Sequence, residues 1–277
     1  MTWGEWGRKF STIQATKLIE QCVEIGLTTF DHADIYGGYT TEAEIGRAFK
    51  ESSISRDQVI HISKCGIQYP CKERPLAVKH YDYSKKHIIQ SAEQSLKNLQ
   101  TDYLDVLLLH RPSPIMDPNT VLDTFSTLKQ EGKVKNFGVS NFTPSQLGLL
   151  QSDIDLKWNQ IECSLTYNKP LFDGRLDYHQ THKLGTMAWS PLGNYFKDPE
   201  AKSASLKKLM QELAIKYNAT EDQLLLAWLL HHPANIHPVV GTTRIERLKK
   251  AQEATQVQLE IQDWFLLLEA EKGKQVP

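Results

Sequence analysis

Ionisable and polar residues recur along the chain, each group closing a short apolar run: Asp31, His32 and Asp34, then Lys64, then His110, then Ser140 and Asn141. Carboxylates, an amine and an imidazole in one place can hold and move protons, or hold a metal ion. Asp31, His32, Asp34 and His110 could serve as the ligand set of a barrel metallohydrolase. The spacing of His32 and Asp34 is not that of an HxH pair, however, and Lys64 would be a bystander in such a site. A lone histidine or lysine at a strand end is usually structural or solvated. Four successive strand ends carrying such groups argue for a shared site, if the elements that carry them converge.

Those elements are read from hydrophobic periodicity. Apolar, β-rich runs predict strands at 28–33, 59–66, 103–110, 135–140, 157–164, 185–192 and 237–242. Several are nearly continuous, as strands buried on both faces are. Amphipathic patterns between them predict helices over 12–25, 41–50, 85–99, 119–130, 206–217, 220–230 and 244–255. In the first of these, Ile13, Leu18, Cys22 and Ile25 share a face, and Gly26 offers a stop. Strand–helix alternation along the whole chain means a parallel sheet with helical crossovers. The fold class expected is α/β, a (β/α)8 TIM barrel, with residues 1–277 as a single domain. Such a barrel takes roughly 250 residues, and its C-terminal strand ends meet at one mouth. Seven strands are counted where eight are expected, so the first is shortened to a few of residues 1–6. Residues 68–84, with Pro70, Pro75 and three tyrosines, are expected to be a mobile loop on the substrate side.

Composition narrows the function classes. The 277 residues carry 32 Lys and Arg against 33 Asp and Glu, a net charge of −1 that offers no basic face for nucleic acid or a membrane surface. Four cysteines, Cys22, Cys65, Cys71 and Cys163, lack CxxC spacing and read as reduced thiols. No apolar stretch approaches the roughly 18 residues of a membrane span, and the start MTWGEWGRKF lacks an apolar signal core. The cytoplasm is the expected location. The histidines at 80, 87, 179, 182, 231 and 232 are expected at the surface.

The segments DHADIYGGY (31–39), SKCG (63–66), LLLHRP (107–112) and GVSNF (138–142) resemble the signatures of the aldo-keto reductase superfamily, in family order and near family spacing. The likeness runs from about Trp3 to the end and is strongest to the bacterial YdhF-type branch, including the tail QDWFLLLEA. The resemblance implies a catalytic tetrad of Asp31, Tyr36, Lys64 and His110. Physical chemistry supports those roles. A carbonyl that accepts hydride becomes an alkoxide and needs a proton donor in place. Tyr36 is that donor, with Lys64 expected to lower its pKa and Asp31 to hold Lys64 charged. His110 donates to the carbonyl oxygen.

No GxGxxG follows an early strand, so a Rossmann fingerprint is missing. The resemblance implies that NADP(H) is held by later strand ends instead. Ser140, Asn141 and Gln160 would bind the nicotinamide carboxamide, and Trp189 would face the nicotinamide ring. Ser190, Pro191, Leu192 and Gly193 would lie along the pyrophosphate. In VVGTTRIERLKKAQ (239–252), Gly241, Thr242 and Thr243 lead into a helix whose N-terminal amides suit a phosphate. Arg247, one turn on, falls where the family clamps a 2′-phosphate, which a guanidinium can hold through paired hydrogen bonds. No metal is expected.

These readings converge on an oxidoreductase that moves a hydride between NADPH and a small-molecule aldehyde or ketone, as a monomer. The alternatives are a non-catalytic nicotinamide-binding regulatory barrel and the metallohydrolase. Specificity is expected in loops 68–84, 113–118 and 195–204 and in the tail, with Trp3, Trp6, Tyr39 and Tyr69 lining an aromatic pocket.

Overall fold

Leucine-rich and β-branched runs form strands, and polar caps set the helix starts, in a computed structural model that describes residues 2–72, 74–150, 155–197 and 204–276. The chain divides into two compact units, Met1–Asn159 with Gly241–Ile245, and Gln160–Val240 with Glu246–Pro277. Part of the expected specificity loop 195–204, namely 198–203, lies outside the described residues.

In the first unit the chain runs through α1 (Thr12–Glu24), β1 (Thr29–Asp31), α2 (Thr41–Glu51), β2 (Ile60–Cys65), β3 (Ile67–Gln68) and β4 (His80–Tyr81). It continues through α3 (Lys85–Leu99), β5 (Leu104–Leu109), α4 (Pro118–Gln130), β6 (Val134–Ser140) and α5 (Pro144–Gly148), and the boundary falls within β7 (Trp158–Glu162). The second unit holds α6 (Arg175–Thr181), β8 (Gly185–Trp189), α7 (Ala204–Lys216), α8 (Glu221–Leu230), β9 (Ile236–Val239), most of α9 (Ile245–Glu253), and α10 (Ile261–Lys272).

Local chemistry explains the helix starts. Ser11 and Gln14 form a reciprocal capping box at α1, the Ser84 hydroxyl takes the His87 amide at α3, and Asp117 caps α4 ahead of Pro118. All seven expected strands form. They follow one another in a sheet in the order β1-β2-β5-β6-β7-β8-β9. Parallel registers set Asp31 opposite Ile62, Lys64 opposite Leu108, and Leu109 opposite Val139. In the second unit Trp189 pairs with Val239, also in parallel. This is the (β/α)8-barrel fold class, with seven strands in its sheet.

The expected short first strand does not form among the described residues. Gly4 adopts φ +97° and the segment turns back on itself, Arg8 N–H donating to the Thr2 carbonyl at 2.9 Å and Gly4 N–H to the Arg8 carbonyl at 3.1 Å. Backbone groups satisfied within a turn are not offered to a ladder. A hairpin replaces part of the expected loop 68–84, with Ile67 opposite Tyr81 and Gln68 opposite His80. Helices α5 and α6, of 5 and 7 residues, are too short for a 3.6-residue period to stand out. Helix α10 buries Trp264, Leu267 and Leu268, so its core contacts come from few positions.

The second unit has a continuous apolar core. Helix α8 is buried from Gln223 to Leu229, which fits a segment apolar all round. Trp228 and Trp264 stack with centroids 4.7 Å apart, and each indole N–H donates to the other's backbone carbonyl, at 3.1 and 2.9 Å. His179, expected at the surface, is fully buried in this unit, its Nδ1 bonded to the Thr186 hydroxyl at 2.8 Å. That hydroxyl makes the burial tolerable, and no sequence period announces it. No described helix is long and apolar enough to cross a membrane.

Candidate active site

Strands β1, β2 and β5 deliver Asp31, Lys64 and His110 to one corner of the first unit, and the turn after β1 adds Tyr36. Lys64 has no exposed surface. An ammonium offers three hydrogens, and Lys64 Nζ spends them on Asp31 Oδ2 at 2.8 Å, the His32 carbonyl at 2.7 Å and the Tyr36 hydroxyl oxygen at 3.1 Å. Burial works against this charge more than any other single effect. Asp31 and Tyr36 together outweigh it and hold the ammonium above its ordinary range.

Because Lys64 donates to the phenolic oxygen, the Tyr36 O–H hydrogen must point elsewhere. Lys64 pulls the Tyr36 hydroxyl downward, as expected, but the net shift is upward. Burial pushes the hydroxyl up from its ordinary value, and the pull of Lys64 does not prevail. Tyr36 is therefore a fully protonated donor at neutral pH. The His110 ring lies edge-on to it, centroids 5.9 Å apart. His110 is buried, and burial, then Lys64 and Arg111, hold it well below the usual imidazole range, so it is neutral and keeps one N–H to give. Its Nδ1 has no hydrogen-bond partner among the described residues.

His32 and Asp34 turn to other tasks. His32 Nε2 meets His61 Nδ1 at 3.1 Å in a buried pair, and Asp34 Oδ2 accepts from the Ser91 hydroxyl at 2.6 Å. Among the described residues no three His, Cys, Asp or Glu side chains are arranged to hold a metal. The expected metallohydrolase ligand set is thus split, with His32 and Asp34 engaged elsewhere and Lys64 between Asp31 and Tyr36.

The residues expected at a dinucleotide fall into several places. In the first unit Ser140, closing β6, is buried, and Asn141 takes φ +65° with its amide donating to the Ser140 hydroxyl at 2.8 Å. Asn159 on β7, missed from sequence, braces the next residue by donating to the Phe142 carbonyl at 3.0 Å. Also in this unit, the Thr2 hydroxyl donates to the Gly241 carbonyl, and the Trp3 indole to the Thr242 carbonyl at 3.1 Å. Those bonds take carbonyls only. The N–H groups of Gly241, Thr242 and Thr243 have no partner among the described residues, a donor row of the kind that suits a phosphate.

In the second unit Gln160 is buried, with its amide 3.9 Å from the Met187 sulfur. Trp189 closes β8 half-buried, and Ser190 to Gly193 form a turn in which both ends hold φ +54°. Pro191 is buried and Leu192 packs against the apolar core, so these two serve the fold at least as much as a ligand. Arg247 stands exposed in the first turn of α9, and among the described residues no ion pair engages it. Of the expected aromatic lining, Trp6 meets Tyr69 edge-on at 5.4 Å and the Tyr39 hydroxyl accepts the Tyr69 amide at 2.9 Å. Trp3 instead packs on Phe10 and Phe30.

Sequence reading saw residues 68–84 only as a loop and overlooked Tyr83, whose hydroxyl bonds both backbone groups of Arg111. No local pattern marks it, because its partners are 28 positions away.

Residues 1–271 match the model of the aldo/keto reductase family. The chain is 42% identical over 279 residues to the uncharacterized oxidoreductase YcsN of Bacillus subtilis, covering 99% of this chain and 92% of that protein. It is 43% identical to the oxidoreductase YdhF of Escherichia coli, covering 96% and 90%. Among solved structures, an aldo/keto reductase from Klebsiella pneumoniae in complex with NADP and acetate superposes with a TM-score of 0.81 at 26% identity, over 100% of this chain and 90% of that one.

Proposed function

The chain belongs to the aldo/keto reductase family, and we propose that it is an NADP(H)-dependent oxidoreductase acting on a small aldehyde or ketone, with Tyr36 as proton donor. The observation that carries this reading is the three-way engagement of Lys64, which leaves the Tyr36 hydrogen as the one to be given away. When bound, the dinucleotide supplies or accepts the hydride at the carbonyl carbon.

The chain's own groups handle the oxygen. As the carbonyl oxygen turns into an alkoxide, a far stronger base than phenolate, Tyr36 gives it a proton. The tyrosinate left behind is stabilised by the ammonium 3.1 Å away and regains a proton from solvent. Asp31 keeps that ammonium charged and aimed. Neutral His110 donates its N–H to the same oxygen and holds it in line. Tyr36 arrives protonated, and the pull of Lys64 on tyrosinate partly offsets the upward push of burial, which by itself would make the phenol a poorer acid.

For the cofactor, we assign Ser140, Asn141 and Gln160 to the carboxamide, Trp189 to the face of the nicotinamide ring, and Ser190, Pro191, Leu192 and Gly193 to the pyrophosphate. The open amides of Gly241, Thr242 and Thr243 and the unengaged guanidinium of Arg247 are assigned to the adenosine phosphate, which supports NADP over NAD. The relative from Klebsiella pneumoniae holding NADP supports the same choice. We further propose that the protein acts as a single-domain monomer in the cytoplasm, with no nucleic-acid partner, in keeping with its net charge of −1.

Tyr36→Phe tests the acid. Turnover of NADPH with a small aldehyde should fall about a thousandfold, while NADPH still quenches tryptophan fluorescence. Retained turnover would overturn the assignment.

A further inference from the structure

Among the described residues His110 has no hydrogen-bond partner at Nδ1 to orient its ring. A ring nitrogen bonded to a carbonyl or carboxylate is the usual device for fixing an imidazole's tautomer and direction. Besides the edge-on packing of the Tyr36 ring, the direction of His110 is set by the backbone on either side. On one side the His110 N–H donates to the Cys65 carbonyl at 2.9 Å. On the other, one buried side chain takes both backbone groups of Arg111: the Tyr83 hydroxyl donates to its carbonyl at 2.5 Å and accepts from its N–H at 3.1 Å. Burial pushes the Tyr83 phenol far above its ordinary range, so it is a neutral O–H at working pH.

The same side chain grips the neighbouring strand end. The Tyr83 ring lies against Gly66, two residues past Lys64, where φ is +104° and an added Cβ would come within 1.9 Å of Tyr83 Cε1. Asp82 N–H donates to the Gly66 carbonyl at 2.9 Å, and the β3–β4 pairing of Ile67 with Tyr81 fixes the approach. One tyrosine thus ties the end of β2, which carries the ammonium, to the residue after His110.

Resting on the reading of His110 as donor to the substrate oxygen, we propose that Tyr83 is a positioning residue, holding the His110 imidazole in reacting geometry by clamping Arg111 to the end of β2. Its ring fills the space that Gly66 leaves, and its hydroxyl does the clamping.

Tyr83→Phe keeps the ring and removes only the hydroxyl. Misplacement of a donor by a fraction of an ångström should lower kcat about tenfold, with KM for the aldehyde and NADPH affinity within about twofold. Hydrogen exchange at the Arg111 amide should quicken, a readout independent of activity. His110→Gln alone should lose about a hundredfold. Adding Tyr83→Phe to His110→Gln should then cost less than about twofold more, because both act through one group. A full tenfold loss in the His110→Gln background overturns the proposal, as does an unchanged kcat in Tyr83→Phe. Wild-type turnover in His110→Gln sinks the reading of His110 itself, and this inference with it. If Tyr83→Phe fails to fold, Tyr83→His, which keeps a ring and a donor, enters the same cycle and should show a smaller loss of kcat that likewise vanishes in the His110→Gln background.

Discussion

Around Lys64 the first unit buries ionisable groups; around Trp228 the second buries hydrocarbon. Within the first, Lys64, Glu42, Asp34, His32 and His61 all lie under 9% exposed, each held by a hydroxyl, a carbonyl, a carboxylate or another ring. Within the second, Trp228, Trp264, Leu225, Leu267 and their neighbours form one apolar cluster, with polar atoms turned to backbone carbonyls. Buried ion pairs contribute little net stability, because desolvation offsets their attraction. Apolar burial is the dominant favourable contribution to folding. On the proposed reading the first arrangement serves chemistry and the second the fold, and substitutions should separate them.

Lys64→Met should show the largest effect. It removes the charge that stabilises tyrosinate, and turnover should drop about a thousandfold, or roughly 4 kcal/mol in the barrier. The melting temperature should shift less than in the next variant; a protein that unfolds instead would erase the contrast. Trp228→Ala opens the second core and should cost about 3 kcal/mol or more in denaturant titration. Its kcat per folded molecule should stay near wild type.

Acid should act on both units through buried histidines, since burial holds His179 in the second at about 4, as it does His61 in the first. His61 is pushed down to about 4 by burial, with Arg56 adding to it. The unfolded chain takes up a proton near pH 6.5 that the folded chain refuses until about pH 4, so stability is present above pH 6.5 and lost as pH falls. Between pH 6.5 and 5 this amounts to about 2 kcal/mol. Asp34, pushed up to about 7 by burial, with Glu42 adding, works in the opposite sense: the folded state keeps its proton longer, and stability falls as pH rises from about 4 to 7. The wild-type profile is therefore flattened. Urea titrations across this range should show His61→Gln relieved of part of the acid loss, with His32, His110 and His179 still contributing, and Asp34→Asn relieved of the loss toward neutral pH. Parallel profiles for all three proteins would remove the titration argument.

Arg247→Ala should be the mildest change, weakening NADPH about tenfold and NADH hardly at all, as loss of a guanidinium–phosphate contact does. Equal weakening of both, measured by fluorescence titration, would refute the 2′-phosphate assignment.

Much of this was written in local pattern. The seven strands and seven of the helices follow from runs and periods within single segments, and Asp31, Lys64 and His110 stand at strand ends that a parallel sheet aligns. Residues whose meaning depends on distant partners were not legible. Tyr83 reads as one loop tyrosine among three until Gly66 and Arg111 come beside it, and His179 reads as a surface residue until Thr186 does.

Sequence by itself determined which groups could react and in what order they meet the chain, since hydrophobic periodicity is a property of neighbours. Only the tertiary structure decided their states. Lys64 keeps its charge, Tyr36 its proton and His110 its neutrality because of how completely each is buried and what lies within about 3 Å, the range over which hydrogen bonds act. Such balances between desolvation and pairing are set by packing across strands, where no single segment holds both terms.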